Sequence, residues 1–319
     1  MSRMSCWVCG ERGEARRLPV RDADSGVSDY CLVLCPACAS GTLEQPPSPE
    51  VLGRHYDRAY YGGGDAKFAA PLQAIVNLAT RKRARAIRNA LQATPEPLVL
   101  DIGCGRGALL AELAALGARG IGLERAALAA GRDDAGIDIR VGELAEQEFA
   151  AASFDAVVLW HVLEHLVHPQ AALAEIGRIL KPGGLLLIAV PNNASWQARC
   201  FGRYWFHLDV PRHLHFFGHA GLQRLLRRQG YAPSSCGTFD AAQNLFGFVQ
   251  SCLNALPGSA PNRLYQLMRS KQSPARIVEL LLWMLAAGLL LPCALLEAVI
   301  GAARAEGACS IVFAAKRAE

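Results

Sequence analysis

Val99-Leu100-Asp101-Ile102-Gly103-Cys104-Gly105-Arg106-Gly107 is followed, at the end of the next apolar run, by Glu124. Apolar residues up to Leu100 predict a buried strand, the glycines a tight backbone turn, and Ala108 to Leu116 has the periodicity of a helix. Gly103, Gly105 and Ala108 also satisfy a dinucleotide-binding pattern, with Glu124 near the place of its ribose-binding acid. Asp101 separates the two ligands. A carboxylate at the strand end repels a pyrophosphate at the helix N-terminus, but attracts a ligand with an ammonium and a sulfonium, such as S-adenosylmethionine (SAM). The corner is expected to hold a cationic donor; a nicotinamide dehydrogenase is the weaker alternative.

Three further stretches agree with it: Gly122-Leu-Glu124, Phe154-Asp-Ala-Val-Val-Leu-Trp-His-Val-Leu-Glu-His165 and Leu180-Lys-Pro-Gly-Gly-Leu-Leu-Leu-Ile-Ala-Val-Pro-Asn192. With them, most of the chain resembles the class I SAM-dependent methyltransferases, and within these a group carrying an N-terminal zinc-ribbon-like segment. The resemblance implies that Asp101 and the turn Gly103, Cys104, Gly105 and Gly107 hold the methionine end of SAM. It also implies that Glu124 binds both ribose hydroxyls, that Glu143 and Leu144 flank the adenine, and that Trp160 or His161 lines the pocket floor.

Strands are expected near 98–102, 119–123, 137–141, 154–160, 185–190, 231–239 and 309–315, with helical segments between them. Uninterrupted apolar runs such as Ala156-Val-Val-Leu159 suit parallel strands buried on both faces. The predicted fold is α/β, a doubly wound seven-stranded Rossmann-like sheet with its ligand over the carboxyl ends of the strands. Its expected divisions are a zinc-ribbon-like segment (1–45), a linker and helical region (46–96), the SAM-binding core (97–240), an apolar helical insert (241–306), and the final strand with its tail (307–319). Tyr56, Tyr60 and Tyr61, in the linker, are read either as an active-site cap or as hinge packing.

Cys6-Trp-Val-Cys9 and Cys35-Pro-Ala-Cys38 are two C-x-x-C pairs at ribbon spacing. Cys6, Cys9, Cys35 and Cys38 are expected to converge on one zinc, structural because a full protein ligand set leaves no open position. Bound metal would supply folding free energy that so small a segment lacks. Cys31 and Cys104 stand outside this set, and Cys200, Cys236, Cys252, Cys293 and Cys309 read as packing residues.

Past the cofactor, two clusters could serve an acceptor: His161-Val-Leu-Glu164-His165 and Pro211-Arg-His213-Leu-His215. Methyl transfer needs an aligned acceptor, and a base when that acceptor is a hydroxyl. His213 or His215 is the expected base, Arg212 a contact for an anionic or hydroxylated acceptor, and Glu164 and His165 are candidates either for catalysis or for bracing the loop. Related O-methyltransferases bind a divalent ion through E-x-x-E-H; here His161 replaces the first acid, which weakens that reading. C-methyltransferases of deoxysugar pathways carry a His-Glu-His where this chain has Pro-Arg-His-Leu-His, so O- and C-methylation both remain open.

A net charge of +5 is too small to argue for nucleic-acid binding. The densest basic run, Arg81-Lys-Arg-Ala-Arg85 with Arg88, reads as a solvated helix face. Residues 1–10 are polar and cysteine-bearing, which predicts a cytoplasmic chain. Between Glu279 and Glu297 lie seventeen residues without a charge, interrupted by Gly288 and Pro292. If residues 309–315 return to the sheet, a single membrane crossing is excluded. An interfacial helix at the inner face of the membrane, a hairpin, or packing against the core or a second subunit remain. The acceptor is expected to be a small molecule, a glycan or a lipid-linked glycan. A non-catalytic scaffold built on the same fold is the alternative from a different class.

Overall fold

The computed structural model describes residues 3–27, 30–55, 70–125, 137–269 and 274–317. Tyr56, Tyr60 and Tyr61 lie outside the described residues. In chain order the described elements begin with strands β1 (Arg3–Ser5), β2 (Arg12–Glu14), β3 (Arg16–Val20), β4 (Tyr30–Leu34) and β5 (Gly41–Leu43), then helices α1 (Pro49–Arg54) and α2 (Ala70–Ala90). An alternating series follows: β6 (Leu98–Ile102), α3 (Ala108–Ala114), β7 (Arg119–Glu124), β8 (Asp138–Val141), β9 (Phe154–Trp160), α4 (Pro169–Ile179) and β10 (Leu180–Pro191). The rest comprises α5 (Trp196–Phe201), β11 (His215–Phe216), α6 (His219–Arg228), β12 (Tyr231–Gly237), α7 (Ala241–Asn254), α8 (Arg263–Arg269), α9 (Pro274–Ala303) and β13 (Cys309–Lys316).

The chain forms two compact units, the first from residues 1–65, 190–225 and 237–311, the second from 66–189, 226–236 and 312–319. The second is built on the expected seven-stranded sheet, in the order β12-β13-β10-β9-β6-β7-β8. β6 lies parallel to both β7 and β9, with Asp101 opposite Gly122 on one side and Val158 on the other. Val99, Leu100, Val157, Val158, Leu159 and Leu187 are fully buried, as central strands require. β10 starts five residues before the expected 185, because Leu180 already pairs with Phe154 before the register shifts across the Pro-Gly-Gly turn. At the foot of the sheet, the Asp155 carboxylate accepts from Leu98 N at 2.9 Å and pairs with Lys181 at 2.8 Å.

The first unit contains a second, four-stranded sheet, β11-β5-β4-β3. His215 pairs with Thr42 and Phe216 with Gly41, so residues far apart in sequence share one small sheet. Its core joins Val20, Leu32 and Leu43 to Trp205, Val210 and Phe216. The expected apolar insert is present as α7, α8 and α9. α9 runs unbroken through Pro292, so the hairpin alternative is not formed. Both Pro292 and Gly288, whose carbonyl loses its helical donor, face outward, where water or lipid can accommodate the defect. Of the cysteines read as packing residues, Cys309 is buried and Cys252 half-buried, while Cys200, Cys236 and Cys293 are exposed.

Candidate functional site

In the second unit, the residues expected to hold SAM lie at the carboxyl ends of β6, β7, β8 and β9. The turn after β6 places Gly103, Gly105 and Gly107 at φ of 71°, 55° and 74°, the left-handed region that glycine enters at least cost. Gly103 N donates to Leu123 O at 2.7 Å, and Gly105 N donates to Glu124 Oε2 at 2.9 Å. The Glu124 carboxylate, nearly buried, therefore props the turn from the tip of the neighbouring strand. Asp101 is 4% exposed. Burial pushes its carboxyl up to about 7, with Arg83 opposing the rise and Glu124 adding to it.

Arg83 is the residue that the sequence reading missed. The solvated face expected of this basic run holds for Arg81, which reaches out to Glu112 at 3.0 Å. Arg83 instead turns inward, its guanidinium carbon 3.3 Å from the centroid of the Trp160 ring and close enough to Asp101 to lower that carboxyl. A signal was available: Arg83 lies three residues after Thr80 and four before Ile87, on the buried stripe of α2.

His161, just past β9, holds φ of 56°, unusual for a residue with a Cβ. Its N donates to Ala189 O at 2.8 Å and its Nδ1 lies 3.2 Å from the buried Glu164 carboxylate. His165 is half-buried and closes a single 3-10 turn with Glu164. Leu144 is buried, whereas Glu143 is half exposed. The Glu143 carboxylate caps the 3-10 turn Leu144–Gln147 and pairs with Arg125 at 2.8 Å. Cys104 is half-buried in the turn, and burial pushes its thiol up strongly.

The first unit holds His213, His215 and the four cysteines of the N-terminal pairs. Nδ1 of the buried His213 lies 2.9 Å from His207 O. A ring nitrogen facing a carbonyl must donate, so in the neutral ring Nε2 keeps the lone pair. Nε2 is 4.0 Å from Asp209 Oδ2, placed to balance an imidazolium. Arg212, expected to meet an acceptor, is buried and engaged by carboxylates: its Nε donates to Asp209 at 2.9 Å and its NH1 to Asp24 at 2.8 Å. His215 sits in β11 with its ring edge-on to Trp7 at 5.1 Å.

The four thiols of the N-terminal pairs converge. Cys6 and Cys38 Sγ are 3.8 Å apart, as are Cys9 and Cys35 Sγ, and all four lie within 4.8 Å of one another. A tetrahedral zinc with Zn–S bonds near 2.3 Å has sulfur–sulfur edges of about 3.8 Å, so this donor set fits that ion. Each knuckle closes with the same turn, Gly10 N donating to Cys6 O and Ala39 N to Cys35 O. The surrounding chain is fitted to the second knuckle: Asn193 donates to Ala39 O at 2.6 Å, Gly218 N donates to Ser40 Oγ at 2.9 Å, and a Cβ at Gly218 would strike the Cys38 carbonyl.

Comparison with known proteins bears on both fold and chemistry. The family described as "Methyltransferase domain" matches residues 72–235, half of the chain. A ubiquinone biosynthesis O-methyltransferase of Maricaulis maris is 35% identical over 131 residues, covering 37% of this chain and 51% of that protein. A Mycolicibacterium smegmatis protein described as an S-adenosylmethionine-dependent methyltransferase is 33% identical over 151 residues, 45% of this chain and 56% of that one. The chain thus spans about half the length of the curated relatives it matches. Among solved structures, one described as a sarcosine dimethylglycine methyltransferase from Galdieria sulphuraria superimposes with a TM-score of 0.51 at 17% identity, over 84% of this chain and 98% of that one. That likeness concerns the fold.

Proposed function

Because the chain belongs to the methyltransferase-domain family, we propose that it is a cytoplasmic enzyme that moves a methyl group from SAM to a hydroxyl of a small-molecule, glycan or lipid-linked acceptor. The observation that carries this reading is the charge arrangement at the end of β6. Asp101, desolvated, and Arg83, stacked on Trp160, form an acid and base pair suited to the ammonium and carboxylate of one amino-acid moiety. SAM, when bound, supplies an electrophilic methyl on a sulfonium. Glu124 offers its carboxylate to vicinal ribose hydroxyls, and Leu144 an apolar surface to the base. The relatives named as O-methyltransferases favour a hydroxyl acceptor.

His213 is the proposed base, since its ring orientation leaves Nε2 able to take a proton while Asp209 balances the charge. His213→Ala is expected to lower kcat by about 10²–10⁴-fold with SAM binding unchanged, whereas His215→Ala leaves kcat within a few-fold. A steady-state comparison of the two variants checks this, and the reverse order would assign the base to His215. Cys6, Cys9, Cys35 and Cys38 are proposed to hold one structural zinc, which would fix the backbone of both knuckles.

Binding should depend on pH through Asp101. A cationic moiety favours the ionised carboxylate, which burial holds protonated below about 7. Affinity for SAM is therefore expected to rise from pH 5.5 to 7.5, by up to about tenfold per unit below that value, and then level off. Calorimetry at pH 6 in buffers of different ionisation enthalpy should register proton release on binding. The function itself is tested by incubating the protein with methyl-labelled SAM and cell extract and fractionating the label. Label in polysaccharide, lipid or small molecules supports the proposal; label confined to protein or RNA, or none at all, defeats it.

A further inference from the structure

α9 is thirty residues long, about 45 Å at 1.5 Å per residue. Among the described residues, twelve of its large apolar side chains are 43–75% exposed, Leu281, Leu282, Leu285, Leu289, Leu296 and Val299 among them. Its inner side packs Trp283, Leu290 and Ala294 against Phe248, Leu253 and Leu264 of α7 and α8. Both acids of the helix point the same inward way: Glu279 accepts from Arg263 at 2.6 and 2.5 Å, and the buried Glu297 accepts from Gln197 Nε2 at 2.8 Å. No charge lies on the outward side; the exposed Arg276 and the exposed Arg304 flank it, one at each end of the helix, Arg276 on the row of Trp283 and Ala294.

From these features we infer that the outward side of α9 is a membrane anchor, sunk lengthwise into the interface of an anionic bilayer with Arg276 and Arg304 at headgroup level. Two observations select lipid over a second copy of the chain. At 100° per residue the exposed apolar positions cover roughly 200° of the helix circumference, about twice the stripe that a helix–helix seam occupies. Such a seam would leave half of that apolar arc in water, whereas a bilayer solvates all of it. The flanking arginines match anionic headgroups.

The helix lies along the membrane rather than across it, because the protein holds it at both ends. The Arg263–Glu279 pair secures the first turns. Just past the last turn, Trp196 N donates to Glu306 O at 3.1 Å and Gly307 N donates to Thr238 Oγ1 at 3.2 Å. This surface is independent of the methyl-transfer reading, since none of its residues belongs to the proposed SAM site.

The test is flotation of the full-length protein with vesicles of phosphatidylglycerol mixed with phosphatidylcholine and with phosphatidylcholine alone, beside sedimentation velocity without lipid. The variants are L285E/L289E and R276E/R304E, each checked for folding by circular dichroism and by binding of S-adenosylhomocysteine. Wild type should float with the mixed vesicles, L285E/L289E about tenfold less or worse, and R276E/R304E about tenfold less. Wild type that does not float, or that floats equally with both variants, overturns the inference. So does equal flotation with phosphatidylcholine alone, which removes the role of the arginines. A wild-type dimer that L285E/L289E converts to monomer also overturns it, because a second copy then covers the arc.

Discussion

Asp101→Asn should abolish measurable SAM binding, a loss of at least about 100-fold, and yet raise the melting temperature at pH 7.5. The first effect follows from removing one partner of a desolvated charge pair, which costs roughly 2–5 kcal/mol of affinity. The second follows from the sign of the titration. The Asp101 carboxyl is raised from 3.8 to about 7 in the folded chain. The folded state therefore holds a proton that the unfolded state has released, and its stability falls as pH climbs from about 4 to about 7. At pH 7.5 the ionised, buried group costs on the order of 4 kcal/mol, part of which a neutral amide recovers. Calorimetric titration with SAM and thermal melts at pH 5 and 7.5 check both effects. The gain in melting temperature should shrink at pH 5, where wild-type Asp101 is already neutral. A variant that binds SAM normally would remove Asp101 from the site.

Cys6→Ser combined with Cys35→Ser should lower zinc content from one ion per chain to none and collapse methyl transfer by more than about 100-fold, while affinity for SAM changes little. Two thiolates are lost from a four-sulfur set, one from each knuckle. Structural zinc sites in small modules supply about 10–16 kcal/mol of apparent binding free energy, so losing such a site is expected to loosen the segment that carries both knuckles. The damage should spread beyond the cysteines. Leu43 N donates to Leu214 O at 3.0 Å and Ala23 N donates to Val210 O at 2.7 Å, so the stretch holding His213 leans on the segment that carries the two knuckles. Every residue proposed for SAM lies within 66–189, in the other unit. Metal analysis, hydrogen exchange over 205–218 and titration with S-adenosylhomocysteine distinguish these effects. Metal-free protein with unchanged exchange and turnover would make the cysteines plain packing residues.

The sheet was legible in the sequence because its central strands are uninterrupted apolar runs, and the turn after β6 because Gly103, Gly105 and Gly107 follow directly on such a run. The four cysteines were legible from spacing alone. Arg83 was not, because a basic run on a helix is usually solvated and only its register against Thr80 and Ile87 marks one member as inward. β11 was equally hidden. A two-residue strand has no periodicity, and its partner β5 lies in a segment that reads as a self-contained module. The role expected of Arg212 failed for a related reason: its partners Asp24 and Asp209 become neighbours only in the folded chain.

Strand β11 also bears on how the protein is made. Thr42 leaves the ribosome long before its neighbour His215, an interval of about 10–30 s at 5–20 residues per second. Through that time the nascent amino terminus displays β5 as an open hydrogen-bonding edge and lacks Trp205, Val210 and Phe216 from its core. Early metal capture would hold the incomplete sheet in register until its closing strand is translated, and translation in zinc-starved cells should yield aggregates seeded at residues 30–43.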